Sequence, residues 1–101
     1  MQEVRNTYHQ VKIAPQYFKD ILQGLKTFEI RLNDRDYQVN DILELQEWTE
    51  EDSYTGNYVI ARVYYIFNDE MYLQPNMVLL AIEIKSIQDT SKRKININLT
   101  K

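Results

Sequence analysis

The stretch Lys26-Thr27-Phe28-Glu29-Ile30-Arg31 places chemically useful side chains at close spacing. In an extended chain alternate residues share a face, so Thr27, Glu29 and Arg31 fall together. Lys26 sits at the bend before them and can turn the same way. The set offers cations for an anion, a carboxylate for an N–H donor, and a hydroxyl for either. One chemistry is recognition, in which Lys26 and Arg31 hold phosphate or base oxygens and Glu29 accepts from a base N–H. Another is catalysis by Lys26, Glu29 and Thr27, with Lys26 as base or electrophilic stabiliser and Glu29 as proton carrier. The plain alternative is an exposed strand face whose ion pairs contribute about 0–1 kcal/mol each.

Neighbouring residues extend this cluster. Asp34 and Arg35 follow in a polar turn, where they either hold a phosphate or brace the turn. His9 is a cleft donor or forms a structural hydrogen bond to the Asn33-Asp34-Arg35 turn. Tyr17 can stack on a base, a contact of about 1–3 kcal/mol, or belong to the core. Trp48 reads as rim packing, and Lys92-Arg93-Lys94 as a solvated run. Glu50-Glu51-Asp52 repels phosphate.

The elements that must position these groups are legible from periodicity. Val11 and Ile13 alternate with polar neighbours, which predicts a strand over 9–13. Pro15 suits a first helical turn, and Tyr17, Phe18, Ile21, Leu22 and Leu25 recur at helical spacing up to Gly24, a left-handed stop. A helix over 15–24 follows. Residues 26–32 alternate as a strand, with Phe28, Ile30 and Leu32 assigned to the core and the ionic set facing away. Further strands are expected over 42–48, 58–67 and 77–85, with a hairpin loop over 49–57 closed by Thr55-Gly56-Asn57 and another loop over 68–76. Residues 1–8 read as a lead-in, 9–85 as one domain, and 86–101 as a tail. Within that tail 87–94 is expected to be partly disordered, and 95–101 is either an edge strand or a frayed end.

Composition narrows the function classes. The chain has 101 residues and a net charge of −3, which fits one domain and argues against long, salt-driven wrapping of nucleic acid. With no cysteine and one histidine, disulfides, thiol nucleophiles and cysteine- or histidine-rich metal sites are excluded. No metal or cofactor is therefore expected. No apolar run approaches the roughly 20 residues of a membrane helix, and the start lacks a signal peptide. A cytoplasmic monomer is the expectation. One short helix cannot cover both faces of a sheet, so the fold class is α+β, mostly β: a small barrel of five to six strands capped by the helix.

Gly24, Lys26, Glu29 and Arg31 match the GxKxxExR signature of ASCH (activating-signal-cointegrator homology) domains, which are PUA-like barrels. His9, Lys12, Tyr17, Phe18, Asn33-Asp34-Arg35 and Asp41 extend the match over residues 9–84, and resemble a small bacterial and phage branch described only as a domain of unknown function. The resemblance implies a barrel with a cleft beside the helix that binds short single-stranded RNA or a nucleotide-like ligand. Two departures stand out. Asn40-Asp41 replaces the branch's usual Gly-Asp, and asparagine is the residue best suited to keep positive φ there. Some short ASCH proteins are similar to amidohydrolases that deacylate N4-acetylcytidine. Here Glu29 holds the place of their nucleophilic threonine, and a carboxylate cannot form the same acyl intermediate. A small hydrolase of modified nucleosides, or of RNA, is the alternative reading, and a pure interaction module a third.

Overall fold

The computed structural model describes residues 7–90, and the expectations for 1–6 and 91–101, including the Lys92-Arg93-Lys94 run, lie outside the described residues. Five strands and one helix follow in the order β1 (Tyr8–Ile13), α1 (Pro15–Leu22), β2 (Phe28–Leu32), β3 (Ile42–Thr49), β4 (Ser53–Phe67) and β5 (Met77–Gln88). They form a single sheet in the order β1-β3-β4-β5-β2, with β1 parallel to β3 and the other pairs antiparallel. The sheet curls into a half-barrel, so its two edge strands, β1 and β2, face each other across an opening. Among the described residues no helix is long and apolar enough to cross a membrane.

Side chains from the concave face fill the interior. Leu43 and Leu45 of β3, Val59, Ala61 and Val63 of β4, and Val78, Leu80 and Ile82 of β5 form one buried cluster with Phe18 and Ile21 of α1. Full burial of side chains such as Phe18 and Ile21 contributes about 1.5–3 kcal/mol each, and these two fix the helix against the sheet. Pro15 opens α1 at its first position, where its missing N–H costs nothing. Gly24 ends it at φ +77°. The amide of Gly24 donates to the Ile21 carbonyl (3.0 Å) and that of Leu25 to the Asp20 carbonyl (2.9 Å), the paired closure that a left-handed residue permits. The Lys26 amide also bonds Asp20 (3.2 Å), so the helix end fixes where that lysine begins.

The structure corrects several expectations. The hairpin between β3 and β4 turns at residues 50–52, not at Thr55-Gly56-Asn57, because Trp48 pairs with Tyr54 and Thr49 with Ser53. Gly56, at φ +94°, lies within β4. β5 continues to Gln88, so Ile87 and Gln88 are strand residues paired with Val59 and Tyr58. Most consequential is the facing of β2. Phe28, Ile30 and Leu32 are 37%, 47% and 53% exposed, whereas Glu29 is 4% exposed. The ionic residues face inward and the apolar ones outward, the reverse of the sequence reading. The cause is the register: Glu29 and Arg31 stand opposite the buried Leu80 and Val78, and directly paired residues share a face.

Asn40 adopts φ +80°, as its residue type allows, and its Oδ1 accepts from Arg62 at 2.7 Å. His9 and Asp41 are buried together, Nε2 to Oδ2 at 2.9 Å. Asp41 also accepts from the amides of Thr7 and Gln38. His9 packs edge-on against the Tyr37 ring. It therefore serves neither of the roles expected for it: it bonds Asp41 rather than the Asn33-Asp34-Arg35 turn, and it does not border the cleft.

Candidate functional site: a cationic cleft between the edge strands

β2 and β1 are not joined by a strand ladder. Two guanidinium groups span the opening instead. Arg31 Nη2 donates to the Lys12 carbonyl (3.2 Å) and Arg35 Nη1 to the Gln10 carbonyl (3.0 Å). Edge strands leave such backbone groups without ladder partners, and long donors reach them where another strand does not. Between these arms and α1 lies a cleft of about 660 Å³, within the range of small-ligand sites.

Glu29 is the centre of the cleft's chemistry. Its Oε2 accepts from Lys26 Nζ and its Oε1 from Arg31 Nη1, both at 2.7 Å. The side chains of Lys26 and Arg31 keep 16% and 24% of their surface accessible while that of Glu29 keeps 5%. The carboxylate is thus an internal counter-ion, and the two cations present their remaining N–H groups to the cleft. Lys26 also donates to the Phe28 carbonyl and stands 5.5 Å from the centre of the Tyr17 ring. Such cation–aromatic contacts fix both partners. Tyr17 is exposed and lines the cleft rather than joining the core, which leaves an aromatic face available for stacking.

Asp34 and Arg35 line the cleft, as does Lys12. In the lining, Lys12, Lys26, Arg31 and Arg35 oppose Glu29 and Asp34. Four cations against two carboxylates make a local charge of +2 in a chain of net charge −3. Thr27 is exposed and absent from the lining; its carbonyl instead accepts from the Ile82 amide at 3.0 Å. The sequence reading that grouped Thr27 with Glu29 and Arg31 therefore fails at its hydroxyl, because β2 begins only at Phe28.

Tyr37 was missed by sequence reasoning. It is buried and forms part of the cleft floor. Burial pushes its hydroxyl above the ordinary value, while nearby Arg31 and Arg35 pull it down. A lone tyrosine in a polar turn segment carries no periodic signal that would mark it. Trp48 sits under Lys12, whose Nζ is 4.5 Å from the ring centre, in a shallower hollow beside Glu50 and Glu51. That placement agrees with rim packing.

The fold and site define a mostly β, single-helix half-barrel with a cationic cleft at its open seam. The chain belongs to the family described as a domain of unknown function (DUF3850), which matches residues 8–82. It is also 42% identical, over 55 residues, to a protein of Escherichia phage P2 described as "Uncharacterized 12.9 kDa protein in GpA 3'region". That match covers 54% of this chain and 50% of the phage protein, so the chain spans about half the length of that relative.

Proposed function

We propose that the cleft binds a nucleotide-sized anionic ligand, a free nucleotide or a short single-stranded RNA end, and that the domain is of the ASCH, PUA-like type. The observation that carries this reading is Glu29, buried between Lys26 and Arg31 inside a cleft whose lining is cationic overall. The remaining N–H groups of Lys26 and Arg31 suit phosphate or base oxygens, and charge-assisted bonds of this kind are about twice as strong as neutral ones. The free lone pairs of Glu29 suit a base N–H. Tyr17 supplies a stacking face. A volume of about 660 Å³ suits one or two nucleotides rather than a long track.

Binding is favoured over hydrolysis by the same geometry. Lys26 already donates to Glu29 and to a carbonyl, and Thr27, the hydroxyl that a deacylase reading would call upon, lies outside the cleft. The test is titration of the full chain, and of Lys26→Ala and Arg31→Ala, with a panel of nucleotides and short RNAs, alongside a search for product from acylated nucleosides. Loss of one such charged hydrogen bond, about 1.5–3 kcal/mol, should weaken binding roughly 10- to 150-fold in each variant. Equal, weak binding by wild type and variants would end the proposal, and turnover above a Lys26→Ala control would replace it with the hydrolase reading.

A further inference from the structure

The outward turn of β2 leaves an apolar sheet face without a partner among the described residues. Phe28 pairs with Ala81, which pairs with Tyr65; Ile30 pairs with Leu79, which pairs with Phe67; Leu32 pairs with Met77. Paired residues share a face, so these eight side chains form three adjacent rows on the convex side. None is charged. The turn after β4 adds Tyr72, whose ring lies 6.2 Å from that of Phe67, next to Met71.

Tyr65, Met71 and Tyr72 are 58%, 78% and 73% exposed. With full side-chain areas of about 150–250 Å² for aromatic residues, the accessible surface of the whole patch is on the order of 700 Å². The largest apolar patch of a typical monomer is roughly 300–600 Å², and one partner of a standard interface buries about 800 Å². The rows themselves are uncharged and their border is mixed in sign, with Arg62 and Lys85 beside Glu83 and Asp69 and Glu70 ahead of Met71, so the face selects neither a strongly basic nor a strongly acidic partner over a second copy. On a twofold axis the same rows meet themselves.

We propose that this face is the contact of a homodimer, the convex faces of β2, β5 and β4 packing against those of a second copy. The proposal departs from the expectation of a monomer, and because Phe28, Ile30, Leu32 and Met77 also border the cleft, it is tested on the ligand-free chain. Area alone does not set the affinity, so the dissociation constant is read from the concentration series.

Sedimentation velocity on the full chain from about 10 μM to 1 mM should show a monomer–dimer equilibrium. Tyr65→Glu and Tyr72→Glu, both clear of the cleft, should each raise the dissociation constant tenfold or more by placing like charges across the axis, with unchanged circular dichroism. Mixed-isotope samples give an independent readout, intermolecular contacts from the Ile30 and Leu32 methyls. A chain monomeric at the top concentration overturns the proposal, as does a dimer indifferent to both substitutions. Contacts from those methyls to residues 91–101 of the same molecule, or binding of monomer to neutral lipid vesicles, would assign the face to another occupant and overturn it equally.

Discussion

Removing the Glu29 carboxylate tests the core of the site, because its effect can be worked out beforehand. Glu29→Ala deletes two charge-assisted hydrogen bonds, to Lys26 and Arg31, each 2.7 Å long. Bonds of this class contribute about 1.5–3 kcal/mol each, and stranding a fully buried partner costs about 3–5 kcal/mol. Lys26 and Arg31 retain 16% and 24% of their side-chain surface, so both can rehydrate in part. The net loss of stability is therefore about 2–4 kcal/mol, reduced by that rehydration from the roughly 3–6 kcal/mol that the two bonds sum to. Glu29→Gln keeps an acceptor and most of the shape, and loses about half as much. Denaturant unfolding followed by Trp48 fluorescence and circular dichroism, with coincidence of the two probes as the check on two-state behaviour, measures both values. For a domain of this size the Ala variant should melt on the order of 10–20 °C lower. A loss below about 0.5 kcal/mol, the ordinary range for surface changes, would refute a carboxylate buried between two cations.

The remaining predictions are independent of one another. Gly24→Ala should cost about 1 kcal/mol through its left-handed backbone alone, since a Cβ there meets nothing within 4 Å; a loss of several kcal/mol in chemical denaturation would reveal a contact the structure lacks. Tyr8 donates to Glu44, and this bond pushes the tyrosine up to about 12. The folded chain then keeps a proton that the unfolded chain releases near 10. Stability from this bond is whole below pH 10 and falls as the pH rises from 10 towards 12; tyrosinate absorbance should show a late titration that returns towards 10 in Glu44→Gln, beside that of the buried Tyr37, which the substitution leaves in place. Burial pushes Glu44 itself up, but hydrogen bonds from Tyr8, Gln46 and Gln10 together outweigh it and hold the group below its ordinary value. Its contribution is therefore present above pH 4.5 and lost as the pH falls through the lowered value, which acid unfolding of wild type against Glu44→Gln would measure. Binding of short RNA should show a log–log salt slope between about −0.7 and −1.4, that of one or two phosphate contacts on a single strand; a much steeper slope would mean a longer track.

The sequence yields the elements more readily than their facing. Gly24 marks the helix end because its φ has few other occupants, and Asn40 marks a second left-handed position for the same reason. Strict alternation over Phe28–Leu32 correctly gives a strand but cannot say which face is inside. Hydrophobicity assigns Phe28, Ile30 and Leu32 to the core, and the fold places them outside because Glu29 and Arg31 bring their own neutralising partners into the interior. Lys26, Glu29, Arg31, Asp34, Arg35 and Tyr17 do come together at the cleft. Their grouping is legible because the chain passes straight from α1 through β2 into the next turn, so the site is mostly local. What was not legible is what comes from afar. Lys12 and the Gln10 carbonyl arrive on β1, and Tyr37 arrives from the turn before β3. His9 is drawn away by Asp41, a pairing that spans 32 residues and leaves no trace in spacing. The hairpin between β3 and β4 was misplaced because Gly56 signals a turn and is instead a left-handed strand residue beyond it.

Chemical-shift titration of the full chain with a ribonucleoside monophosphate measures most directly whether the seam between β1 and β2 is the binding site. Saturable shifts confined to Gln10–Tyr17 and Lys26–Tyr37, abolished in Arg31→Ala, are the expected result. Shifts centred on Tyr65, Phe67, Met71 and Tyr72, or ones that persist unchanged in Arg31→Ala, would contradict it.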